Sequence, residues 1–339
     1  MKYIAFVTKG LEEISEDEIK SLSGTKIISK KQKFLEFEYK GKSSNLKSLR
    51  TVDDIGIYIS EISVEKLLEL DLTIESIKKS IEILKEFRNV GEKFSLTISK
   101  YQNNELREDE LKKLLSDYFS TNLGCIYTPL DHSNIDIRVN ITEKECLITL
   151  KLFSRSLYKR DYEHETQLGS IRSTIASAML YKLIKRDQVL KVVDNFCGSG
   201  TFLCEALYMG AQVYGNDIEK HAIEVTRSNL NKIKKDEYKL SNFDASKTNW
   251  SDNFFDIAVS NFPWDKQIKV NKMTKLIDGS IKEYSRILKP NSKIGIISAK
   301  PEVVIKYLKK YFEIRNMEIF KIGYLGQVPT IVLADLNKL

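Results

Sequence analysis

The stretch LKVVDNFCGSGTFLCE, residues 190–205, decides the fold of this chain. An apolar run ends at Asp194, and a turn containing Gly198 and Gly200 precedes a second apolar run with helical spacing. Glycine has no Cβ, so it permits a sharp turn and a close approach of the backbone to a ligand. The pattern predicts a strand, a glycine turn and a helix N-terminus, a common nucleotide-binding arrangement. A dinucleotide fingerprint would need a third glycine where Leu203 stands, which argues against a nicotinamide or flavin site.

Three further strand-like segments each lead to a polar side chain. In chain order they deliver Asp217, Asp244 and Asn261. Asp217 follows Asp194 by 23 positions, the usual separation for a carboxylate that binds ribose hydroxyls in doubly wound folds. Because the carboxyl ends of parallel strands meet at one edge of a sheet, we expect these side chains to lie close together there.

The last of these strands runs into the turn Asn261-Phe262-Pro263-Trp264. The side-chain oxygen of Asn261 and the carbonyl of Phe262 can both accept hydrogen bonds from an exocyclic amine, and Trp264 offers a face for stacking. The turn therefore predicts a pocket for a planar amine. An Asn-x-Pro turn with only a structural role is the alternative.

These two motifs together resemble the class I S-adenosylmethionine-dependent methyltransferases. DNFCGSGTF resembles their cofactor motif, and NFPW matches the pattern (Asn or Asp)-x-Pro-aromatic of amino-methyltransferases. The resemblance implies an α/β, Rossmann-like domain whose seven-stranded sheet ends in an antiparallel hairpin, with S-adenosyl-L-methionine as cofactor. Asp194 and the glycine turn would hold the methionine part, Asp217 the ribose and Asp244 the adenine amine. The implied cofactor-binding set is Asp194, Phe196, Cys197, Gly198, Gly200, Thr201, Asn216, Asp217, Asp244, Ala245 and Asn261.

The resemblance also assigns catalysis to Asn261, Phe262, Pro263 and Trp264. The two acceptors would hold the amine so that its nitrogen lone pair faces the sulfonium methyl group, and orientation would supply much of the rate. No strong general base is needed, because the proton can leave late. The commonest family form is NPPY, so this chain has Phe262 in place of a proline and lacks the fixed φ of that residue.

The amino-terminal half predicts a separate α+β region. TKGLEEISEDEI, residues 8–19, resembles the N-terminal module of THUMP-domain methyltransferases, and the helices and strands that follow resemble THUMP itself, a fold associated with RNA 3′ ends. A generic α/β module is the alternative. The predicted domains are a ferredoxin-like module over 1–62, a THUMP RNA-binding domain over 63–153, a linker over 154–165 and the methyltransferase domain over 166–339.

Charge is distributed unevenly along the chain. Residues 1–150 carry 23 basic and 26 acidic side chains, a net charge of −3, whereas residues 151–339 carry 31 and 21, a net charge of +10. A basic catalytic half suits a polyanionic substrate, although a lysine-rich composition also produces solvated helix surfaces. Lys159, Arg160 and Arg172 are the predicted RNA-binding residues. The alternative for Lys159 and Arg160 is surface ion pairing with Asp161 and Glu163.

Cysteine and histidine usage predicts no metal site. The four cysteines form no C-x-x-C pair, and the chain has three histidines. Cys197 lies inside the glycine turn, so we expect a structural role for it and not that of a nucleophile. The first residues are too charged for a signal peptide, and no apolar run reaches 18 residues. We therefore expect a cytoplasmic protein without membrane contact, and a monomer.

These observations predict an RNA methyltransferase that forms N2-methylguanosine, most simply in tRNA. Methylation of guanine N2 in 23S ribosomal RNA and of adenine N6 in DNA use the same chemistry. An RNA-binding protein with a degenerate methyltransferase domain is an alternative from another class, as is an enzyme that methylates a small amine. Cofactor titration separates the RNA-binding protein with a degenerate domain from an enzyme, because a degenerate domain would not bind S-adenosylmethionine.

Overall fold

A computed structural model describes nine segments of the chain, and it divides into two compact units. The first unit comprises Met1–Phe6 and Ile19–Leu157, and the second comprises Val7–Glu18 and Tyr158–Leu339. In the described part of the chain, no helix combines the length and the apolar character needed to cross a membrane. The described residues are 1–72, 74–85, 91–100, 107–129, 132–162, 169–184, 189–233, 238–263 and 270–339.

The first unit is built on one mixed sheet. Its strands are β1 (Lys2–Phe6), β2 (Thr25–Lys31), β3 (Phe34–Tyr39), β4 (Asp54–Ser63), β5 (Lys93–Lys100), β6 (Ile126–Tyr127), β7 (Ile135–Ile141) and β8 (Glu145–Lys151). A 3₁₀ helix spans Ser43–Ser48, and the α-helices are α1 (Glu12–Lys20, which begins in the second unit), α2 (Val64–Leu68), α3 (Ile74–Lys85) and α4 (Glu108–Leu123).

Among the described residues this sheet has eight strands in the order β2-β3-β1-β4-β8-β7-β5-β6. The antiparallel pairing of β4 with β8 joins the strands of both predicted amino-terminal modules into one sheet. The predicted boundary at residue 62 therefore falls near the end of β4. The division of residues 1–153 into a ferredoxin-like module and a THUMP domain stays a prediction.

The second unit alternates strands and helices. Its strands are β9 (Lys191–Asp194), β10 (Gln212–Asn216), β11 (Tyr238–Ser241), β12 (Phe255–Asn261), β13 (Leu288–Ser298), β14 (Phe312–Lys321) and β15 (Thr330–Lys338). Its helices after the linker are α5 (Ser173–Leu183), α6 (Thr201–Tyr208), α7 (Lys220–Leu230), α8 (Val270–Ile287) and α9 (Pro301–Tyr311).

The sheet of the second unit has the predicted topology. Over the described segments its order is β11-β10-β9-β12-β13-β15-β14. The first five strands are parallel, whereas β15 runs antiparallel between β13 and β14. The prediction of a Rossmann-like α/β fold with an antiparallel terminal hairpin is therefore confirmed.

Both faces of this sheet are buried, as near-continuous apolar strands require. Successive strand residues enter different cores: Val192 joins the core that includes α5, α6 and α7, and Val193 joins the core that includes α8 and α9. Ile257 and Ala258 alternate in the same way. The helices therefore cover the sheet on both sides, and its carboxyl edge is left for the polar side chains that follow the strands.

A buried ion pair attaches the linker to the helices of the second unit. Glu205, on α6, has no exposed surface, and its carboxylate accepts hydrogen bonds from Arg160 (Nε to Oε1, 3.1 Å) and Tyr162 (2.6 Å) and from the hydroxyl of Ser177 on α5. Arg160 and Tyr162 are themselves about 95% buried, with relative exposures of 6% and 5%. The three donors compensate the cost of burying the carboxylate.

We predict that Glu205→Gln destabilises the fold strongly. The variant removes the carboxylate charge beside the buried guanidinium of Arg160, which costs roughly 3–5 kcal/mol of the free energy of unfolding. Urea denaturation followed by circular dichroism measures the change. Glu224→Gln, an exposed glutamate on α7, is the matched control and should unfold like the wild type. Equal midpoints for the two variants would contradict the role assigned to Glu205.

Candidate functional site

The carboxyl edge of the parallel strands assembles the predicted polar residues. In register, Asp194 of β9 pairs with Gly215 of β10, and Val193 pairs with Ala258 of β12. Asp194, Asp217 and Asn261 therefore follow or end three adjacent strands on the same edge. This arrangement comes from the parallel topology, because each strand points its carboxyl end the same way.

The glycine turn adopts a conformation that side chains rarely allow. Gly198 and Gly200 have φ values of +53° and +81°. A Cβ on Gly200 would lie 2.9 Å from a methyl carbon of Thr226, so the turn excludes larger residues by contact as well. The backbone N–H of Gly198 donates to the Asp217 carboxylate at 2.9 Å. The turn and the end of β10 are therefore tied together.

Helix α7 supports the turn through two side chains that sequence reasoning missed. The hydroxyl of Thr226 donates to the Gly198 carbonyl at 2.8 Å, and the amide of Asn229 donates to the Ser199 carbonyl at 2.8 Å. Both side chains are at most 2% exposed. Their signal in the sequence is two polar residues three positions apart on the otherwise apolar face of a helix.

Asp194 is buried at the centre of this edge. Its Oδ1 accepts hydrogen bonds from the Phe196 backbone N–H (2.9 Å) and the Ser260 hydroxyl (3.2 Å), and that hydroxyl also lies 2.6 Å from the hydroxyl of Tyr284 on α8. Burial, reinforced by the negative charge of Asp217, raises the pKa of Asp194 to about 7, although the two hydrogen bonds oppose the shift. A cation beside this carboxylate would favour its charged form.

Asn216 supports the site indirectly. Its side chain has no exposed surface. The Nδ2 group donates to the Phe243 carbonyl at 3.0 Å, and Oδ1 accepts from the Phe243 N–H at 2.9 Å. It thereby fixes the segment after β11 beside β10.

The Asp217 carboxylate accepts from the N–H groups of Gly198 and Glu219 (3.0 Å), and a carboxylate has about four acceptor positions in all. Asp217 thus retains capacity for ligand hydroxyls.

Two exposed apolar side chains, Ile218 and Phe243, neighbour the acidic residues Asp217 and Asp244 in the chain. Asp244 is held by the backbone N–H and hydroxyl of Ser246, at 2.8 and 2.7 Å, and these hydrogen bonds lower the pKa of its carboxyl. Ala245 is buried at 6% exposure, whereas Ile218 and Phe243 are 65% and 45% exposed. Exposed apolar groups next to Asp217 and Asp244 suit the two faces of an aromatic base. Sequence reasoning passed over both because it looked for polar residues where these strands end.

The amine-binding turn is held on both sides. The Asn261 side chain donates from Nδ2 to the Gly169 carbonyl at 2.9 Å, which makes Oδ1 the acceptor end of the amide. The Phe262 N–H donates to Ile297 of β13 at 3.0 Å. The Phe262 ring is fully buried and packs edge-on against Phe196, with centroids 5.0 Å apart. Packing therefore fixes this turn where the family uses proline.

Other predicted positions have simpler surroundings. Thr201 begins α6, and Pro263 is half-buried after the strand. Trp264 lies outside the described residues, as do residues 163–168, which include the end of the predicted linker. Cys197 is 5% exposed, and burial raises the pKa of its thiol well above the usual range. A buried, protonated thiol is a poor nucleophile, so its surroundings agree with a structural role.

The three predicted RNA-binding residues differ in their surroundings. Lys159 is exposed, with its ammonium 6.0 Å from the centre of the Tyr158 ring. Arg172 is half-buried, and its guanidinium lies 4.6 Å from the same ring. Arg160 corrects the prediction, because its side chain is buried against Glu205 and not presented to solvent. A phosphate contact by Arg160 does not fit that buried position.

The described segments contain no group of three or more histidine, cysteine or acidic residues arranged to hold a metal ion.

Similarity to known families agrees with the geometry of the second unit. Residues 160–328 match the family UPF0020, described as an RMKL-like methyltransferase domain. Residues 160–328 form a methyltransferase domain. The ribosomal RNA large subunit methyltransferase K/L of Aliivibrio fischeri (strain ATCC 700601 / ES114) is 25% identical over 219 residues, which cover 62% of this chain and 30% of that protein. The chain spans about a third or less of the length of the curated relatives it matches.

Solved structures share the fold over the whole chain. TrmN from Thermus thermophilus superposes with a TM-score of 0.78 at 16% identity and covers 100% of this chain and 99% of that one. The structure of SMU.472 complexed with SAH gives a TM-score of 0.72 at 16% identity, with coverage of 100% and 98%. At this identity the likeness establishes the fold alone.

The residues at the carboxyl edge fit S-adenosyl-L-methionine, the cofactor of the methyltransferase domain. The glycine turn gives close backbone approach, Asp217 has acceptor capacity for two hydroxyls, and Ile218 and Phe243 offer apolar surface for a base. Asp194 and the turn would face the cationic methionine part. The cofactor supplies an electrophilic methyl group, and these residues would bind and orient it.

We predict that cofactor affinity and stability depend on pH in opposite ways through Asp194. The folded chain favours the protonated carboxyl, so unfolding releases a proton between pH 3.8 and about 7. The free energy of unfolding should therefore fall as pH rises across this window, by on the order of 4 kcal/mol. Affinity for the cationic cofactor should instead rise from pH 6 to 8, because Asp194 must be ionised to pair with it.

Asp194→Asn should flatten both profiles and weaken cofactor binding at pH 8. Calorimetric titration with S-adenosylmethionine and urea unfolding at four pH values measure the two effects. Asp335→Asn, an exposed carboxylate on β15, is the matched control and should parallel the wild type. Identical pH profiles for Asp194→Asn and the wild type would rule out this carboxyl as the titrating group.

Proposed function

We propose that the protein is an S-adenosylmethionine-dependent RNA methyltransferase that methylates the exocyclic N2 amine of a guanosine in tRNA, acting as a monomer in the cytoplasm. The observation that carries the proposal is the Asn261-Phe262-Pro263 turn beside the glycine turn, with the Asn261 amide oriented by Gly169. An exocyclic amine is the group that two convergent oxygen acceptors recognise. The basic character of residues 151–339 suits a polyanion.

The mechanism follows from the two acceptors. Asn261 Oδ1 and the Phe262 carbonyl each accept one amine hydrogen, so the nitrogen lone pair points away from the turn and toward the methyl donor. S-adenosylmethionine held by Asp194, Asp217 and the glycine turn would supply the electrophilic methyl group to that nitrogen, and the turn leaves the amine proton free to pass to solvent. The buried Phe262 ring and its backbone bond to β13 hold the acceptors in place, and this fixed orientation lowers the entropic part of the barrier.

The target base must leave its stack to reach this turn. Unstacking costs a few kcal/mol in a duplex and less in a loop or at a helix end, which favours an accessible guanosine. Lys159 and Arg172 are the proposed phosphate contacts in the second unit. Contacts of this kind would position the RNA backbone without reading its sequence.

Ribosomal RNA is the second candidate substrate. Curated relatives that the chain matches include proteins named ribosomal RNA large subunit methyltransferase K/L, which favours large-subunit ribosomal RNA as the substrate. The amino-terminal unit supports tRNA only through its resemblance to THUMP modules. Both substrates use the same acceptors and cofactor, so they differ in the RNA and not in the chemistry.

We predict that labelled methyl from S-adenosylmethionine is transferred to unmodified tRNA and recovered as N2-methylguanosine. Asn261→Ala should lower the rate by on the order of 10²-fold, because the amine loses one of its two orienting acceptors. Transfer to tRNA and to 23S ribosomal RNA is measured in parallel with nucleoside analysis. Asn337→Ala, at the opposite edge of the same sheet, is the matched control and should retain full activity.

Each result has a defined meaning. Label confined to ribosomal RNA would retain the reaction and change the substrate. Label in N6-methyladenosine would contradict the guanine assignment. Cofactor binding with no transfer to any RNA would exclude an RNA substrate, and the absence of cofactor binding would favour a degenerate domain.

A further inference from the structure

The hairpin between β14 and β15 ends in a tight two-residue loop. Tyr324 and Gln327 pair with each other, with N–O distances of 3.0 and 2.9 Å in the two directions. The loop residues Leu325 and Gly326 have φ values of +50° and +71°. Positive φ at both central residues is the requirement of a type I′ turn, for which Asn-Gly is the favoured pair. A leucine here is therefore not explained by the turn.

The same loop exposes two apolar side chains. Leu325 is 75% exposed and Val328 is 67% exposed. Over the described residues, the C-terminal Leu339 is the only large apolar side chain with a higher exposure than Leu325. Neither turn geometry nor core packing accounts for a leucine at this position. A contact with another molecule would account for it.

The loop is anchored to the segment that orients Asn261. The Tyr324 hydroxyl donates to the carbonyl of Ser170 at 3.1 Å, and Asn261 donates to the carbonyl of the preceding residue, Gly169, at 2.9 Å. Adjacent Cα atoms are about 3.8 Å apart, so the two side chains are held on neighbouring carbonyl groups. The guanidinium of Arg172 lies 5.9 Å from the Tyr324 ring. Tyr324, at the base of the tip, is therefore tied to the same segment that holds Asn261.

Two lysines lie at the base of the hairpin. Lys321 ends β14, and the N–H of Gly323 donates to the carbonyl of Lys9 at 3.0 Å. Both lysine side chains are exposed. An apolar tip on a basic support suits a partner with flat apolar faces and a polyanionic backbone. Nucleic acid has both, whereas an apolar protein surface would not use the charges.

We infer that Leu325, supported by Val328, is a wedge that enters the RNA base stack beside the target guanosine when that base turns toward Asn261. The inference rests on the proposed function. A base that leaves its stack opens a gap, and apolar side chains that enter such gaps offset part of the lost stacking. The wedge positions the substrate and takes no part in bond making.

The decisive variant is Leu325→Asn. Asparagine tolerates a left-handed backbone and creates the favoured Asn-Gly pair, so the hairpin is retained while the apolar side chain is lost. Val328→Thr removes the second apolar contact with a similar shape. Val189→Thr is the matched control, because Val189 is 70% exposed and precedes β9 at the amino edge of the sheet.

The assay compares two RNA probes with the intact protein. The first is whichever folded transcript the wild type methylates, tRNA or a 23S ribosomal RNA fragment, and the second is a short unstructured oligonucleotide with the same target guanosine. Leu325→Asn should lower kcat/KM on the folded transcript by about tenfold or more and change it less than about twofold on the unstructured probe. Cofactor affinity and melting temperature should stay at wild-type values.

A second readout is independent of methyl transfer. With 2-aminopurine in place of the target base, fluorescence should rise on binding of the wild type or Val189→Thr and should rise less with Leu325→Asn, because an unstacked base is brighter. Equal losses on both probes, or unchanged kinetics on the folded transcript, would overturn the wedge. The wedge would also be overturned if Leu325→Asn kept full activity but lost a self-associated form of the protein in size-exclusion chromatography. A wild type that methylates no RNA would instead overturn the proposed function.

Discussion

The buried carboxyl of Asp194 connects the parts of the candidate site. It ends β9, accepts the N–H of Phe196 in the glycine turn, and shares the Ser260 hydroxyl of β12 with Tyr284 of α8. A carboxyl group in an apolar interior is costly unless hydrogen bonds satisfy it or a proton neutralises it. Asp194 has both hydrogen bonds and a raised pKa, which leaves its charge to be stabilised by a ligand. The geometry of the site and the energetic reason to bind a cation therefore come from one group.

The glycine turn shows how the surrounding structure supports that group. Its positive φ values at Gly198 and Gly200 are ones that side chains rarely adopt, and its carbonyls accept hydrogen bonds from Thr226 and Asn229 of α7. Its N–H at Gly198 is bound by Asp217 of the neighbouring strand end. The turn is therefore fixed before a ligand arrives, and a fixed turn avoids the entropy cost of ordering a loop on binding.

The sequence predicted the second unit well because its signals are local. Strand, turn and helix follow one another within residues 190–205, and parallel pairing then brings Asp217 and Asn261 to the edge where Asp194 ends β9. It could not predict the partner of Arg160, because Glu205 is 45 residues away and a cation in a polar linker reads as exposed. It also missed Phe243, an apolar residue whose backbone is held by the buried amide of Asn216. Long-range polar pairs have no periodicity to reveal them.

Phe262 shows how one departure from a family pattern can retain a function. A proline at this position would restrict φ and remove the N–H. In this chain the N–H is used in a hydrogen bond to β13, and the aromatic ring is buried against Phe196 of the cofactor turn. The backbone is thus restrained by a hydrogen bond and by packing where the family relies on ring closure. Since the Phe196 N–H binds Asp194, the aromatic contact joins the amine acceptors to the cofactor turn, in addition to the hydrogen bond from Ser260 to Asp194. A change in either ring would therefore be felt at both halves of the site.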